Sequence, residues 1–509
     1  MNKKKYLLYL INPKFQYQHY GTQKELGQLL GKKNFIFSLA LSIIASLTPK
    51  NYKIKIINEE IEKIPYKKKP DLVAITTPFT TKKKCFEIGD KFRAMGIPVI
   101  MGGTYATFLT DEVLEHSDCV VIGEAEGVWN EVLNDFENRK LRKIYKAEKP
   151  YEFKKIPIPR WDLVKTKNLN FLGVQASRGC PYNCEFCIVP NIFGRKQRYR
   201  DVDNVIEEIK SLPIKRIFFV DDNLTFNKAY MHELIAKLKP LHISWVCQSS
   251  IEIADDQILL KEMKEAGCFS ILIGFESLNP ESLKESNKKH NDIELYENAI
   301  SKIQEIGLQL IASFVIGFDA DTTEVFDQIV KFSEKNNILF TMVSTLTVAP
   351  GTNLYERIKK ENRLLDIEDI FYNGSFPCMK YKNITLIDMY ERYYDAIEKI
   401  FSIKSMSKKV KYLLNSGAYK INEGFKDIGI IEKFFSSLKL LKLFFFTKDK
   451  EKKEFFKEII QFGIKKIASW DNIAIFLFIM GGFNEYVNST KKFYNEIKEK
   501  IIKIQNELS

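Results

Sequence analysis

The chain has 509 residues, 45% of them hydrophobic and 28% charged, which is ordinary for a globular protein and too long for one compact core. It shows no signal-peptide cleavage site, and its longest apolar run, 473–480, is far below the roughly 20 residues that cross a bilayer. We therefore expect a cytoplasmic protein without a transmembrane segment. Only three of the eight cysteines are clustered, which disfavours a disulfide framework and favours a metal site.

The net charge of +13 is spread along the chain, with a lysine-rich stretch at 401–420. This charge leaves two interpretations open. It is either an ordinary solvated surface or a binding surface for anionic lipid, nucleic acid or a phosphorylated substrate. If the charge forms a binding surface, the basic C-terminal region could contact a membrane surface.

The first 150 residues alternate short apolar runs with helical stretches. Strands are predicted at 6–12, 52–58, 71–77, 98–103 and 119–124, and helices around 33–48, 82–95, 110–116 and 126–137. This alternation predicts a doubly wound, Rossmann-like α/β domain over 1–150. In such sheets ligands bind outside the carboxyl ends of the strands, which here carry small and polar residues.

A second run of alternating strands and helices extends from about 170 to 355, after a proline-containing connector at 146–164. Its strands are predicted at 173–177, 216–222, 244–250, 270–277, 310–317 and 341–348, with helices near 202–211, 228–238, 256–266, 293–306 and 323–336. Six such units predict a partial (β/α)6 barrel over 151–365 with its active site at the strand carboxyl ends. Residues 366–509 read as a mostly helical region.

The segment SRGCPYNCEFCIVP spaces Cys180, Cys184 and Cys187 as Cys-x3-Cys-x2-Cys directly after a predicted strand. A structural zinc site normally has four protein ligands, and no fourth Cys or His lies nearby. Three thiolates on one loop can instead hold three irons of a [4Fe–4S] cluster. The segment resembles the radical S-adenosylmethionine (SAM) superfamily. That resemblance implies that SAM binds the fourth iron and is cleaved to a 5′-deoxyadenosyl radical.

Later strand ends strengthen this resemblance, since RIFFVDDNLTF, ILIGFESLNPESL, FVIGFDADTTE and APGTNLY are similar to the superfamily's motifs. Asp319 and Ala320 depart from its usual Pro-Gly. The resemblance implies SAM contacts from Phe186, Asp222, Asn223, Gln248, Ser249, Glu276 and Ser277. For each single residue, ordinary polarity at a strand end is the alternative.

The segment MGGTYATFLTDEVLEHSDCVVIGEAEGVW resembles the cobalamin-binding domain found ahead of many radical SAM cores. In that family a Gly-Gly-x-His-x-Thr turn and a Gly-Glu-x-Glu turn embrace the corrin, and small residues let the backbone approach it. Tyr105 stands where the family usually has His. The implied cobalamin contacts are Thr76, Thr77, Gly102, Gly103, Thr104, Tyr105, Gly123, Glu124 and Glu126. A retained fold with an empty pocket is the alternative.

The order of these parts resembles a branch that includes hopanoid C-methylases. It implies methylation of an unactivated carbon in a lipid or secondary metabolite, with electrons from a donor such as flavodoxin or ferredoxin. Other radical rearrangements, couplings or dehydrogenations remain open. A tRNA methylthiotransferase is similar around the cysteines and at 198–200, but it needs a second cluster that Cys85 and Cys119 do not supply. A non-catalytic iron–sulfur or cobalamin sensor is a further alternative, and the sequence identifies no other catalytic residue.

Overall fold

The computed structural model describes residues 4–15, 32–367, 374–416, 448–465 and 470–508. Its described strands form two six-stranded parallel sheets and one two-stranded ribbon. The strands are β1 Tyr6–Asn12, β2 Tyr52–Asn58, β3 Leu72–Thr76, β4 Val99–Gly102, β5 Cys119–Ile122, β6 Ile144–Lys146, β7 Leu172–Val174, β8 Ser177–Arg178, β9 Arg198–Tyr199, β10 Arg216–Phe219, β11 Ser244–Ser249, β12 Cys268–Glu276, β13 Gln309–Ile316 and β14 Phe340–Thr345. The predicted fold class is confirmed.

The first sheet has the order β2-β1-β3-β4-β5-β6 and is parallel throughout. Its interior strands are continuous apolar runs because helices cover both faces. The helices are Leu39–Leu47, Lys82–Ala94, Thr104–Phe108, Thr110–Glu115 and Trp129–Glu137. The helix predicted from residue 33 begins only at Leu39, since Asn34 forms an isolated bridge with Leu169.

The edge strand β6 was not predicted. It has three residues, and only Tyr145 is buried, so its apolar pattern is too short to indicate a strand. It extends the first sheet to Lys146, inside the proposed connector, where single 3₁₀ turns follow at Trp161–Leu163 and Thr166–Asn168. The domain limits at 150 and 365 stay predictions.

The second sheet has the order β14-β13-β12-β11-β10-β7, again all parallel. All six carboxyl ends therefore meet at one edge. The predicted first strand, 173–177, is split, because β8 leaves the sheet and pairs antiparallel with β9. The helices are Val189–Phe193, Val202–Ser211, Lys228–Leu238, Gln257–Glu265, Pro280–Glu285, Tyr296–Glu305, Glu324–Lys335 and Asn353–Lys360.

The described C-terminal residues are helical, at Leu386–Ile400, Ile403–Ser416, Lys450–Ile464 and Trp470–Leu508. The first and last of these helices pack together, with Tyr390 stacked on Tyr494 at 4.7 Å between ring centroids. No helix among the described residues is long and apolar enough to cross a membrane. Residues 417–420 of the lysine-rich stretch lie outside the described residues, and membrane-surface contact stays a prediction.

Candidate active site

Two adjacent carboxylates at the end of β10 hold the segment that leads into the cysteine loop. Asp221 is fully buried and accepts hydrogen bonds from the Ala176 amide at 3.1 Å, from the Ser177 hydroxyl at 2.7 Å and from the Ser177 amide. Asp222 accepts from the Gly179 amide at 3.1 Å. These bonds fix the backbone immediately before Cys180, so the end of one strand positions the loop of another.

The three cysteines of the loop are half-buried and form no disulfide. Burial raises the pKa of the Cys180 thiol to about 11 and that of Cys187 to about 12, and the neighbouring thiols add to both shifts. A cysteine binds a metal as the thiolate, and these three thiols disfavour one another's ionisation. Nearby positive charge would favour the thiolates, and the irons of a cluster would supply that charge. Among the described residues, no group of three or more His, Cys, Asp or Glu side chains is arranged to hold a metal ion, and the role of the three cysteines as cluster ligands stays a prediction.

An unpartnered acceptor beside the loop fits the amino group of SAM. The side-chain Oδ1 of Asn223 is buried and has no hydrogen-bond partner among the described residues. A buried acceptor without a donor is unfavourable unless a ligand supplies one. Asn223 itself is fixed, because the Gln197 side chain donates to its carbonyl at 2.7 Å.

The other predicted SAM contacts lie at the neighbouring strand ends. Ser249 shares a hydrogen bond with Thr225 at 2.5 Å, and the Ser277 hydroxyl accepts from the Asn279 amide at 3.0 Å. Both hydroxyls therefore already have protein partners. Gln248 and Phe186 are half-buried, with the Phe186 ring 6.2 Å from that of Phe318. All seven SAM contacts stay predictions.

Glu276 ends β12 with a backbone φ of 64°, a region that residues other than glycine rarely adopt. Its carboxylate forms a buried ion pair with Lys288. Lys288 is close enough to Cys180 and Cys184 to favour their thiolates. Sequence reasoning missed this lysine, although it lies in the lysine-rich run ESNKKH that follows the Glu-Ser strand end.

We expect Lys288→Met to weaken SAM binding about tenfold or more, because a hydrogen bond to a charged group contributes about 1.5–3 kcal/mol. The Lys288 ammonium is a positive charge beside Cys180 and Cys184, so it would offset part of the negative charge that the SAM carboxylate brings there. Equilibrium binding of SAM to the cluster-loaded protein measures the effect. The control is Lys289→Met, which removes the exposed neighbouring charge. Equal affinity in both variants would contradict the assignment.

Asp319, where the resemblance led us to expect proline, belongs to an ion-pair network around the outer face of the loop. Arg357 pairs with both oxygens of Glu185, at 2.7 and 2.9 Å, and with Asp319 at 2.9 Å. Burial raises the pKa of Asp319, but hydrogen bonds from Arg363 and Lys382 outweigh it and lower the value to about 2. Since Glu185 lies between two of the loop cysteines, the network fixes the loop from outside.

The Cys378 side chain is enclosed by protein. Its thiol is fully buried, accepts from the Val348 amide and donates to the Leu346 carbonyl, both at 3.3 Å. Cys85, Cys119, Cys247 and Cys268 are likewise buried.

The predicted corrin turns meet at the carboxyl edge of the first sheet, after β3, β4 and β5. Gly103 has a φ of 111°, and a Cβ there would lie 3.1 Å from the Thr77 amide nitrogen. Gly123 has a φ of 75°, and a Cβ there would meet no protein atom within 4 Å. The backbone at Gly123 is therefore open to a large flat ligand, which fits a corrin.

Two predicted cobalamin contacts at this edge have side chains that are buried and bonded within the protein. Tyr105 is buried, its hydroxyl donates to Glu112 at 2.5 Å, and its ring packs against Phe79 and Phe86. Thr77 is fully buried and donates to the Gly102 carbonyl at 2.8 Å. Thr76 and Thr104 are half-buried. These contacts also stay predictions.

Glu124 and Glu126 of the same edge have partners in the second domain. Arg178, two residues before Cys180, pairs with both, and Arg198 pairs with Glu124. The predicted corrin edge is thus joined directly to the strand that leads into the cysteine loop.

A three-cysteine loop at the carboxyl edge of a six-stranded parallel sheet defines a radical SAM enzyme, and the Radical SAM superfamily model matches residues 174–333. Residues 352–496 match a domain of unknown function, DUF4070. The chain is 32% identical to bacteriochlorophyllide d C-8(2)-methyltransferase of Chlorobaculum tepidum, over 66% of this chain and 78% of that protein. It therefore belongs to the radical SAM methyltransferase family.

Two further proteins are similar to it. Hopanoid C-2 methylase of Rhodopseudomonas palustris is 24% identical over 66% of this chain and 67% of its own length. The structure of the radical SAM methyltransferase TsrM from Kitasatospora setae, solved with cobalamin and a [4Fe–4S] cluster bound, has a TM-score of 0.59 at 16% identity and covers 95% of this chain and 99% of that one. The protein is thus an enzyme that uses a [4Fe–4S] cluster and SAM, which sets aside the sensor alternative. Its similarity to methyltransferases disfavours the methylthiotransferase alternative.

Proposed function

We propose that the enzyme is a cobalamin-dependent C-methylase that acts on an unactivated carbon of a lipid or secondary metabolite. The observation that supports the proposal is the direct ion-pairing of the 123–126 turn with Arg178, because it would bring the predicted cobalamin turn next to the predicted cluster loop. Family membership among methyltransferases and the fold shared with a cobalamin-bound structure support it.

When bound, the cluster supplies the electron that cleaves SAM, and cobalamin supplies the methyl group. The chain's own residues provide the geometry. Cys180, Cys184 and Cys187 would hold the cluster, and Asn223 would orient the SAM amino group. The bonds to Asp222 and Glu185 keep the loop from shifting as charge changes on it.

The substrate class rests on the relatives. Their names refer to a bacteriochlorophyllide and a hopanoid, both bulky and largely apolar. We also propose a flavodoxin or ferredoxin as electron donor and a cytoplasmic location.

The test follows the two fates of SAM. The reconstituted enzyme, a reductant, cobalamin and methyl-labelled SAM are incubated separately with a hopanoid fraction and a bacteriochlorophyllide. We expect 5′-deoxyadenosine and S-adenosylhomocysteine in roughly equal amounts, with the label on product carbon. If 5′-deoxyadenosine forms alone and the product mass changes by something other than a methylene, the enzyme performs another radical reaction on the same fold.

We expect Gly123→Leu to abolish cobalamin retention by protein expressed anaerobically with cobalamin, because the side chain would occupy the open face of the turn. The matched control is Gly96→Leu. Gly96 has a φ of 72°, and a Cβ added there would likewise meet no protein atom within 4 Å, so backbone strain is similar in the two variants. The corrin absorption band after desalting is the measurement, and similar bands in both variants would contradict the prediction.

A further inference from the structure

A buried ionic cluster joins the 123–126 turn to the strand before the cysteine loop. The Arg178 side chain is 6% exposed, and its two terminal nitrogens donate to Glu124 at 2.7 Å and to Glu126 at 2.9 Å. The guanidinium also bonds the Gln175 side chain at 3.0 Å. One arginine therefore uses its planar fork to hold two carboxylates from the other domain.

Two aromatic rings enclose this arginine. Its guanidinium carbon lies 4.5 Å from the ring centre of Phe153, in the connector, and 5.3 Å from that of Phe193, in the helix after the cysteine loop. Stacking on both rings excludes water and stabilises the cation. The pairing is therefore desolvated and strongly directional.

Glu124 has further partners that keep it charged. Arg198 donates to both of its oxygens, at 3.0 and 2.8 Å, and the Tyr151 amide donates at 2.9 Å. Burial raises the pKa of Glu124, but the hydrogen bonds from the two arginines outweigh it and lower the pKa overall. Its carboxylate is fully used by protein donors, so a direct contact with a corrin would have to come from the backbone of the turn.

The ionic cluster limits how the 123–126 turn and the cysteine loop can move relative to each other. Glu124 directly follows Gly123, the open point of the predicted corrin edge, and Arg178 is two residues from Cys180. A buried charge that loses its partner is strongly unfavourable, so the turn and the cysteine loop cannot shift independently. Transfer between two cofactors depends on such fixed spacing, since a misplacement of about 1 Å can reduce a rate about 100-fold.

We infer that Arg178 is a positioning residue that sets the distance between the cobalamin edge and the cluster loop. The inference rests on the proposed cobalamin-dependent function. In this inference the carboxylates of Glu124 and Glu126 hold Arg178 in place and do not bind the cofactor. Arg178 then controls the steps that need both cofactors, whereas SAM cleavage by the cluster alone does not depend on it.

The test compares wild type with Arg178→Met, the conservative Arg178→Lys and the milder Glu126→Gln, which removes one of the paired charges. In cluster-loaded protein without cobalamin, reductive formation of 5′-deoxyadenosine should be unchanged. In cobalamin-loaded protein, S-adenosylhomocysteine formation should fall about 100-fold in Arg178→Met and less in the two milder variants. Arg160→Met is the matched control, because Arg160 pairs with the exposed Asp162 in the connector.

A cofactor-free measurement separates failure of this inference from failure of the proposed function. Hydrogen–deuterium exchange of the Tyr151 amide, which donates to Glu124, should accelerate in Arg178→Met while the amides of β3 and β4 exchange as in wild type. Unchanged exchange, unchanged S-adenosylhomocysteine formation or a parallel loss of both SAM products would overturn the inference. Absence of S-adenosylhomocysteine in wild type would instead overturn the cobalamin function and leave the exchange result standing.

Discussion

Replacement of Cys180, Cys184 and Cys187 by alanine, singly or together, is expected to abolish the iron–sulfur cluster and all 5′-deoxyadenosine formation. Each cysteine would ligate one iron of a [4Fe–4S] cluster, and the described part of the chain offers no other thiol on the loop. SAM binds the fourth iron, which is present only in an intact cluster. Loss of any one cysteine ligand destabilises the cluster and therefore removes the site of SAM cleavage. Iron and sulfide content, the visible absorption band and 5′-deoxyadenosine under a strong reductant measure the effect.

The control for this series is Cys378→Ala. This thiol is fully buried and bonded to the backbone at Val348 and Leu346, and it is not one of the three loop cysteines. Its removal should reduce stability but leave the iron content and SAM cleavage per folded molecule unchanged. Formation of 5′-deoxyadenosine by the triple loop variant would show that these cysteines are not the cluster ligands.

The two sheets could be predicted from the sequence because their interior strands are short apolar runs separated by amphipathic helices. A parallel strand buried on both faces has a continuous apolar sequence whatever its position in the sheet. Strand order was not predicted, and β6 was missed because a three-residue edge strand buries only Tyr145. The departure of β8 from the second sheet was also invisible, since it depends on the antiparallel pairing of Ser177 with Tyr199.

The candidate site was predicted where motifs are local and missed where residues distant in sequence meet. The cysteine spacing is contained in eight residues, whereas Arg178 and Glu124 are 54 positions apart and Arg357 and Glu185 are 172 apart. No spacing pattern connects such partners. For Tyr105, a local motif predicted a cofactor contact that the side-chain packing does not favour. The motif places it in a cofactor turn, but the structure places its ring in the core, because Phe79 and Phe86 lie beside it.

A second large effect is expected from Lys409, a lysine buried in the C-terminal helical region. Its side chain is 0% exposed, and its ammonium donates to the Ser333 hydroxyl at 2.8 Å. Burial lowers the pKa of Lys409 to about 7; Glu334 opposes this shift and Lys408 adds to it. At neutral pH the folded state therefore holds this amine with only partial charge, whereas the unfolded chain is fully protonated.

We expect the free energy of unfolding to rise with pH between about 7 and about 10.5, with a slope that approaches about 1.4 kcal/mol per pH unit from this group. In that window the unfolded chain binds more protons than the folded one. Below pH 7 both states are protonated and the full desolvation penalty remains. Lys409→Met removes the penalty and keeps the packing of the stem, so it should raise the thermal midpoint most at pH 7 and below. Ser333 retains its bond to Thr341 at 2.6 Å.

The measurement is the difference in thermal midpoint between wild type and Lys409→Met from pH 6.5 to 9.5, which cancels the titration of other groups. The control Lys404→Met removes an exposed charge on the same helix that is not among the causes of the Lys409 shift, and it should show a nearly constant difference. A stabilisation by Lys409→Met that shrinks as pH rises would establish that the amine is buried at an energetic cost. A stabilisation independent of pH would show that Lys409 does not change its charge in this range, and a destabilisation at pH 7 would show that its charge is satisfied in the fold. Either outcome contradicts the prediction.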